Sequence, residues 1–304
     1  MVEQYDPDQL AYTPESLRSR GVPPAPLPGE AWPLDNPRAR SGYAPGTIRR
    51  VIPAEHQLSR FPDADGTVVR VDARVPLDSL VQAGGALLTA LVVLDSTLQR
   101  ADTVTGTLPA GADTVDFSHV MRMPAGAYVY SVELFEPESR YAARARYAIA
   151  TPAESAALTL SDVVVSHPFD AVVPTDRDDP ALRPLGALIL APDASVGLYI
   201  EVGGLRAGRD GAAGFQVEVT RHNADRASLP REMVNWLGRQ LGLASSPTPP
   251  RVVWTEPGRP LGINTVAVDV ALGGASPGHY VFEVTVTDLI TGERVERRRP
   301  VRVR

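Results

Sequence analysis

The chain has 304 residues, 43% hydrophobic and 22% charged, a length that accommodates two ordinary globular domains and a composition unlike that of disordered or fibrous proteins. Its net charge of -6 gives no general attraction to nucleic acid, and the absence of cysteine excludes disulfides, thiolate zinc sites and thiol catalysis. No run reaches the ~18 apolar residues of a membrane-spanning helix, the longest being 86–94 with Thr89 inside it.

Residues 1–62 hold 11 of the 29 prolines, including Pro23-Pro24-Ala25-Pro26-Leu27-Pro28, and show neither helical nor strand periodicity beyond a short turn of helix near 15–20. This reads as an extended arm. Proline-rich chain has little ordering entropy left to lose, so it suits lying along another surface, with Tyr5, Tyr12, Trp32 and Tyr43 as contacts. The first residues, Met1-Val2-Glu3-Gln4-Tyr5-Asp6, lack the basic start and apolar centre of a secretion signal. The expectation is a cytoplasmic protein if Met1 is the native start, and otherwise a periplasmic or membrane-associated extrinsic one.

From Asp63-Ala64-Asp65-Gly66, a turn signal, the pattern changes. Residues 67–75 alternate Val69, Val71, Ala73 and Val75 against Arg70, Asp72 and Arg74, as a half-buried strand does. Residues 86–94 read as a deeply buried strand and 114–123 as another, while 128–136 and 141–149 form a hairpin closing a first β-domain over 63–150. A short hinge at 151–154 leads to a second β-domain over 157–304. Strands are expected there at 157–166, 185–190, 196–202, 215–221, 252–255, 263–272, 279–288 and 294–303. A Pro- and Asp-rich loop spans 172–184. A helix near 228–243 interrupts the strands, with Ser228 as its cap and Met233, Trp236, Leu237 and Leu241 on one face.

One unit recurs 152 residues apart. Gly126-Ala127-Tyr128-Val129-Tyr130-Ser131-Val132 and Gly278-His279-Tyr280-Val281-Phe282-Glu283-Val284 share a Gly-x-Tyr-Val-aromatic-x-Val pattern, each beginning the closing hairpin of its domain. Short strands without alternating helices point to a mainly β protein of two tandem antiparallel immunoglobulin-like sandwiches, with the Pro-rich arm and one inserted helix.

Little in the sequence speaks for chemistry. Gly274-Ala275-Ser276-Pro277-Gly278 matches the Gly-x-Ser-x-Gly elbow but sits between strands, with only His279 following, so turn chemistry explains it better than a Ser276 hydrolase. The histidines at 56, 119, 167, 222 and 279 lack the paired spacing of a helical zinc site. Asp63 with Asp65, and Asp176, Asp178 and Asp179, offer clustered oxygens without the spacing of a calcium loop, leaving a metal at either place open. The last strand is rich in arginine, and Arg297 and Arg299 are its candidate partner contacts, by docking against an acidic protein surface or lipid headgroups. No catalytic residue, cofactor or metal ligand is assigned.

The block Val71-Asp72-Ala73-Arg74-Val75-Pro76-Leu77, the segment Pro124-Ala125-Gly126-Ala127-Tyr128 and Leu158-Thr159-Leu160-Ser161-Asp162-Val163 resemble the tandem sandwich region of bacterial envelope proteins that carry a Gly-Trp-x-Thr-Asp domain, although that motif itself is absent. The resemblance implies a β-sandwich and an envelope origin, and transfers no functional residues. The expected function is that of a non-enzymatic, membrane-extrinsic structural subunit bridging protein components of a larger bacterial membrane assembly. One candidate is a photosynthetic reaction centre in its antenna ring. The alternative is a carbohydrate- or peptide-binding envelope module using exposed strand edges or Trp32, Trp236 and Trp254.

Overall fold

Alternating Val, Thr and aromatic residues separated by Gly, Pro and Asp turns produce β-strands almost everywhere they occur. The computed structural model describes residues 50–52, 54–63, 65–77, 86–95, 100–109, 113–136, 141–151, 157–169, 172–224, 250–260 and 262–304, and among these there is no α-helix. The helix expected near 228–243 and the arm up to residue 49 lie outside the described residues. Two compact units are present. The first holds the described residues up to 151 together with Pro184–Ala187, and the second those of Ser155–Arg183 and Leu188–Arg304.

The first unit contains β1 (Arg50–Ile52), β2 (Glu55–Asp63), β3 (Gly66–Pro76), β4 (Ala86–Leu94), β5 (Arg100–Pro109), β6 (Thr114–Met123), β7 (Gly126–Glu136) and β8 (Tyr141–Thr151). One sheet runs β1-β8-β7-β4-β5 and the other β2-β3-β6. Strand β6 alternates exposed and buried residues along its whole length, so Val115, Phe117, Met121 and Met123 meet Leu91 and Val93 of β4 and Tyr130 and Val132 of β7 in one core. Every residue of β7 from Val129 to Glu136 is buried, on both faces of its sheet. Strands β1 and β2 occupy residues that lack a clear alternation and that the sequence assigns to the arm. The reason is visible in β2, where polar Gln57 and Ser59 are themselves fully buried, so burial does not follow hydrophobicity there.

The second unit contains β9 (Thr159–Leu160), β10 (Val164–Ser166), β11 (Ile189–Leu190), β12 (Ser195–Gly203), β13 (Ala213–Asn223), β14 (Arg251–Gly258), β15 (Asn264–Ala271), β16 (Gly278–Asp288) and β17 (Arg294–Val303). Its sheets run β10-β12-β15, with β9 also on β12, and β11-β17-β16-β13-β14. The single strand expected over 157–166 is divided into β9 and β10. Ser161 causes the interruption, since its hydroxyl donates to Asp162 O (3.0 Å) and accepts from Glu201 N (2.8 Å) instead of leaving the backbone free to run on.

The two five-stranded sheets repeat one another. In each, a short strand lies parallel on the last strand (β1 on β8, β11 on β17), which pairs antiparallel with the strand before it, and two more follow (β4 and β5, β13 and β14). The recurring Gly-x-Tyr unit sits at the same place in both copies, at the start of β7 and of β16. Its tyrosine hydroxyl donates back four residues each time: Tyr128 to Pro124 O (3.2 Å) and Tyr280 to Ser276 O (3.0 Å). Tyr130 and Phe282, two residues on, are buried in the cores.

Candidate functional site

The chemical candidates resolve into structural contacts. Ser276 is exposed in the turn between β15 and β16, where its carbonyl accepts the Tyr280 hydroxyl. His167 and His279 are exposed, and His222 lies 3.7 Å from Glu283 on a half-exposed strand face. The other two histidines are core residues of the first unit. His56 Nε2 and the Tyr130 hydroxyl are 2.8 Å apart, with the Tyr147 ring 5.1 Å from the imidazole. Burial pushes the Tyr147 hydroxyl pKa up, which favours its neutral form. His119 Nε2 meets Thr89 Oγ1 at 3.1 Å across the sandwich, and burial lowers its pKa, favouring neutral imidazole. Gly106 faces Thr89 across the sheet, and a Cβ there would stand 2.9 Å from Thr89 Oγ1 and 3.4 Å from the imidazole, so only glycine leaves the pair its room.

The aspartates are engaged by their own surroundings. Arg122 Nη2 donates to Asp63 (3.0 Å) and its Nη1 to Asp65 (3.3 Å), so a guanidinium occupies the space between these carboxylates. In the 172–184 loop Asp176 accepts from Asp178 N (2.9 Å), while Asp179 accepts from Thr175 N (2.9 Å), Thr175 Oγ1 (3.0 Å) and Ala181 N (2.9 Å). The Thr175 amide, then that of Ala181, hold the Asp179 carboxyl below the usual range. Among the described residues no group of three or more His, Asp or Glu side chains is arranged to hold a metal.

Arg177, in the middle of that acidic run, turns inward. It approaches Glu201 with Nε to Oε1 at 3.1 Å and Nη2 to Oε2 at 3.0 Å, and Glu201 is 3% exposed. Tyr199 also donates to Glu201 Oε1 (2.8 Å), and its pKa is pushed strongly up by burial first and by the Glu201 charge second. A buried ion pair with one charge-assisted hydrogen bond, from Nε to Oε1, fastens the loop to β12. Sequence reading missed it because a run of Asp and Arg looks like a solvated turn, and the only signal was Glu201 amid the apolar residues of β12.

In the arginine strand, Arg297 and Arg299 share the parity of the inward valines Val295, Val301 and Val303. In β17 the odd positions share the core side: Arg297 lies opposite buried Val284 and Arg299 opposite buried Phe282. Arg299 is 8% exposed and its Nε donates to Val163 O at 2.7 Å, so it closes its own sandwich and is not an outward contact. Arg297 is half-buried, and its Nη1 donates to Glu296 O at 3.0 Å. The outward ladder is Arg298, bonded to Glu283 (3.0 Å) and Glu296 (2.7 Å), with Arg251 on Glu218 (2.7 Å) further across the sheet. Tyr5, Tyr12, Trp32 and Tyr43 lie outside the described residues, as does Trp236. Trp254 is half-buried on β14, with Nε1 donating to Glu256 (2.9 Å).

What differs between the two copies is the outermost strand. In the sheet order β5 and β14 are both terminal. Strand β5 is Arg-Ala-Asp-Thr-Val-Thr-Gly-Thr-Leu-Pro, with alternate threonines. Strand β14 is Arg-Val-Val-Trp-Thr-Glu-Pro-Gly and is exposed on both faces, with Val252 at 52% and Val253 at 42%. Terminal strands present backbone donors and acceptors to any extended partner, and natural proteins usually blunt them with charge.

No protein-family model matches this sequence, and no curated protein matches it. Among solved structures the chain is similar to red sea bream transglutaminase, at 14% identity and a TM-score of 0.22, over 82% of this chain. It spans 31% of that protein's length.

Proposed function

We propose that this chain is a non-enzymatic, membrane-extrinsic scaffolding subunit that docks protein components of a larger bacterial membrane assembly through the outer edge of β14. The observation that carries this reading is the pair Val252 and Val253, exposed on opposite faces of a terminal strand. An extended segment of a partner would continue the sheet there through main-chain hydrogen bonds, with apolar side chains against the two valines. The repeated sheet order and the Tyr128 and Tyr280 hydroxyls bonded back to the preceding turn support an immunoglobulin-like sandwich in each unit. Such rigid modules suit bracing better than turnover. A reaction centre within its antenna ring is the particular assembly to try first.

The test is sedimentation of detergent-solubilised native membranes carrying a tagged chain. The chain should travel with a large complex, and Val252→Glu with Val253→Arg should release it, while Val173→Arg, at an equally exposed valine elsewhere, should not. A wild-type chain that leaves the membrane fraction as a monomer at low salt contradicts the scaffold. A wild-type chain that binds a free extended peptide or an oligosaccharide, and no complex, instead supports the envelope binding module, with Trp254 as the stacking ring in the sugar case.

A further inference from the structure

The register of β14 fixes which of its backbone groups are still open to a partner. Arg221 N donates to Pro250 O (3.2 Å), which continues the β13–β14 ladder one step beyond the Thr220 and Arg251 pair. Hydrogen-bonded pairs alternate along an antiparallel ladder, so 250, 252, 254 and 256 bond β13, while the N–H and C=O groups of Arg251, Val253 and Thr255 face the open side. No other described strand lies there. Pro257, next in that series, has no N–H, so the run of open donors stops at Thr255.

The side chains follow the same alternation. Val252 and Trp254 lie opposite buried Val219 and Val217, on the core side of the sheet, and Val253 lies opposite Glu218 on the outer side. Arg251 shares that outer side and is bound to Glu218 by Nε to Oε1 (2.7 Å) and Nη2 to Oε2 (2.8 Å), so its charge is met within the chain.

An edge of three open residues centred on Val253 is complementary to itself. When a second β14 runs antiparallel with Val253 opposite Val253, Arg251 falls opposite Thr255 and Val252 opposite Trp254 on both sides of the axis. All three open residues of each strand then make both of their hydrogen bonds, and none meets Pro257. The core-side row runs Val219, Val252, Trp254, Val217 across the join, setting a β-branched residue against an aromatic ring twice. No like charges face each other, because Arg251 meets a threonine. Sliding the pairing so that Trp254 faces Trp254 sets Arg251 opposite Pro257 and Val252 opposite Glu256, which loses hydrogen bonds and both apolar pairs of Val252.

We propose that the partner of this edge is a second copy of the chain, paired β14 to β14 about a two-fold axis through Val253, which joins two five-stranded sheets into one. The proposal rests on the reading of β14 as a docking edge and names its occupant. Residues 251–255 of two copies bury less than the ~800 Å² per partner of a standard interface, so the free chain is monomeric at micromolar concentration. Copies held in one membrane assembly meet at an effective concentration of about a millimolar and pair there.

The chain has no cysteine, so a single introduced thiol reports the register. Facing Cα atoms of a hydrogen-bonded antiparallel pair are about 5.5 Å apart, within disulfide reach, whereas Thr255 and its copy stand about 14 Å apart. At about 500 µM and under mild oxidation, Val253→Cys should cross-link into a dimer at least tenfold faster than Thr255→Cys. Sedimentation of the full chain should show a monomer at about 5 µM and a dimer at about 500 µM. Val253→Lys and Val253→Glu should each stay monomeric, while an equal mixture of the two should recover the dimer, associating roughly tenfold more tightly than either alone.

A chain that is monomeric throughout overturns the proposal, as does cross-linking at 255 as fast as at 253 or a mixture that recovers nothing. If such a monomer still travels with the membrane complex and Val252→Glu with Val253→Arg releases it, the edge binds a different protein: the docking reading stands and the second copy is wrong. If the dimer forms while the wild-type chain leaves the membrane fraction at low salt, the second copy is right and the scaffold is wrong.

Discussion

At the scale of single residues, His119 shows how the interior of the first unit constrains protonation. Its imidazole is buried between Phe117 and Thr89 and its pKa is lowered. The unfolded chain therefore takes up the proton first, at about 6.5. The stability due to neutral His119 is complete above that value and is lost as pH falls below it towards the lower folded pKa. Urea titrations from pH 7.5 to 5 should show stability declining on acidification, and His119→Gln should flatten that decline. An unchanged slope would mean that His119 does not control it. The paired tyrosines give a second expectation. Tyr128→Phe and Tyr280→Phe each remove one hydrogen bond to the preceding turn and should each cost about 1 kcal/mol by denaturant midpoint. Equal losses would show that the repeated residue does the same work in both units.

At the scale of elements, legibility followed alternation. Strands β3, β6 and β16 were readable because apolar residues recur at every second position, and β4 because it is a nearly continuous apolar run. Strand β5 was missed because threonine and glycine carry little hydrophobic contrast, and β2 because buried Gln57 and Ser59 read as polar chain. In β17 the inward valines Val295, Val301 and Val303 have the same parity as Arg297 and Arg299, so those two arginines fall on the core side and Arg298 on the outer one. The 172–184 loop was legible only as a loop. Its attachment through Arg177 and Glu201 depends on a pair 24 residues apart, which no local pattern encodes. Glu201→Gln removes the Arg177–Glu201 ion pair and should destabilise the second unit by roughly 3 kcal/mol. Amide exchange over 172–184 should accelerate, whereas a loop held by its own turns alone would exchange as before.

Across the whole chain, one sheet plan is used twice and its copies diverge in what they expose. The first unit ends its sheet in β5, rich in threonine, and packs two histidines into its interior. The second ends in β14 with two exposed valines. The repeated Gly-x-Tyr unit made the duplication visible in the sequence, but not this divergence, because exposure of a valine on β14 depends on which strand is terminal. The most direct measurement is amide hydrogen exchange over residues 251–258 in the isolated chain and in the solubilised membrane complex. Docking on β14 predicts exchange at least tenfold slower in the complex, with β5 unchanged. Equal exchange in the two states would contradict it.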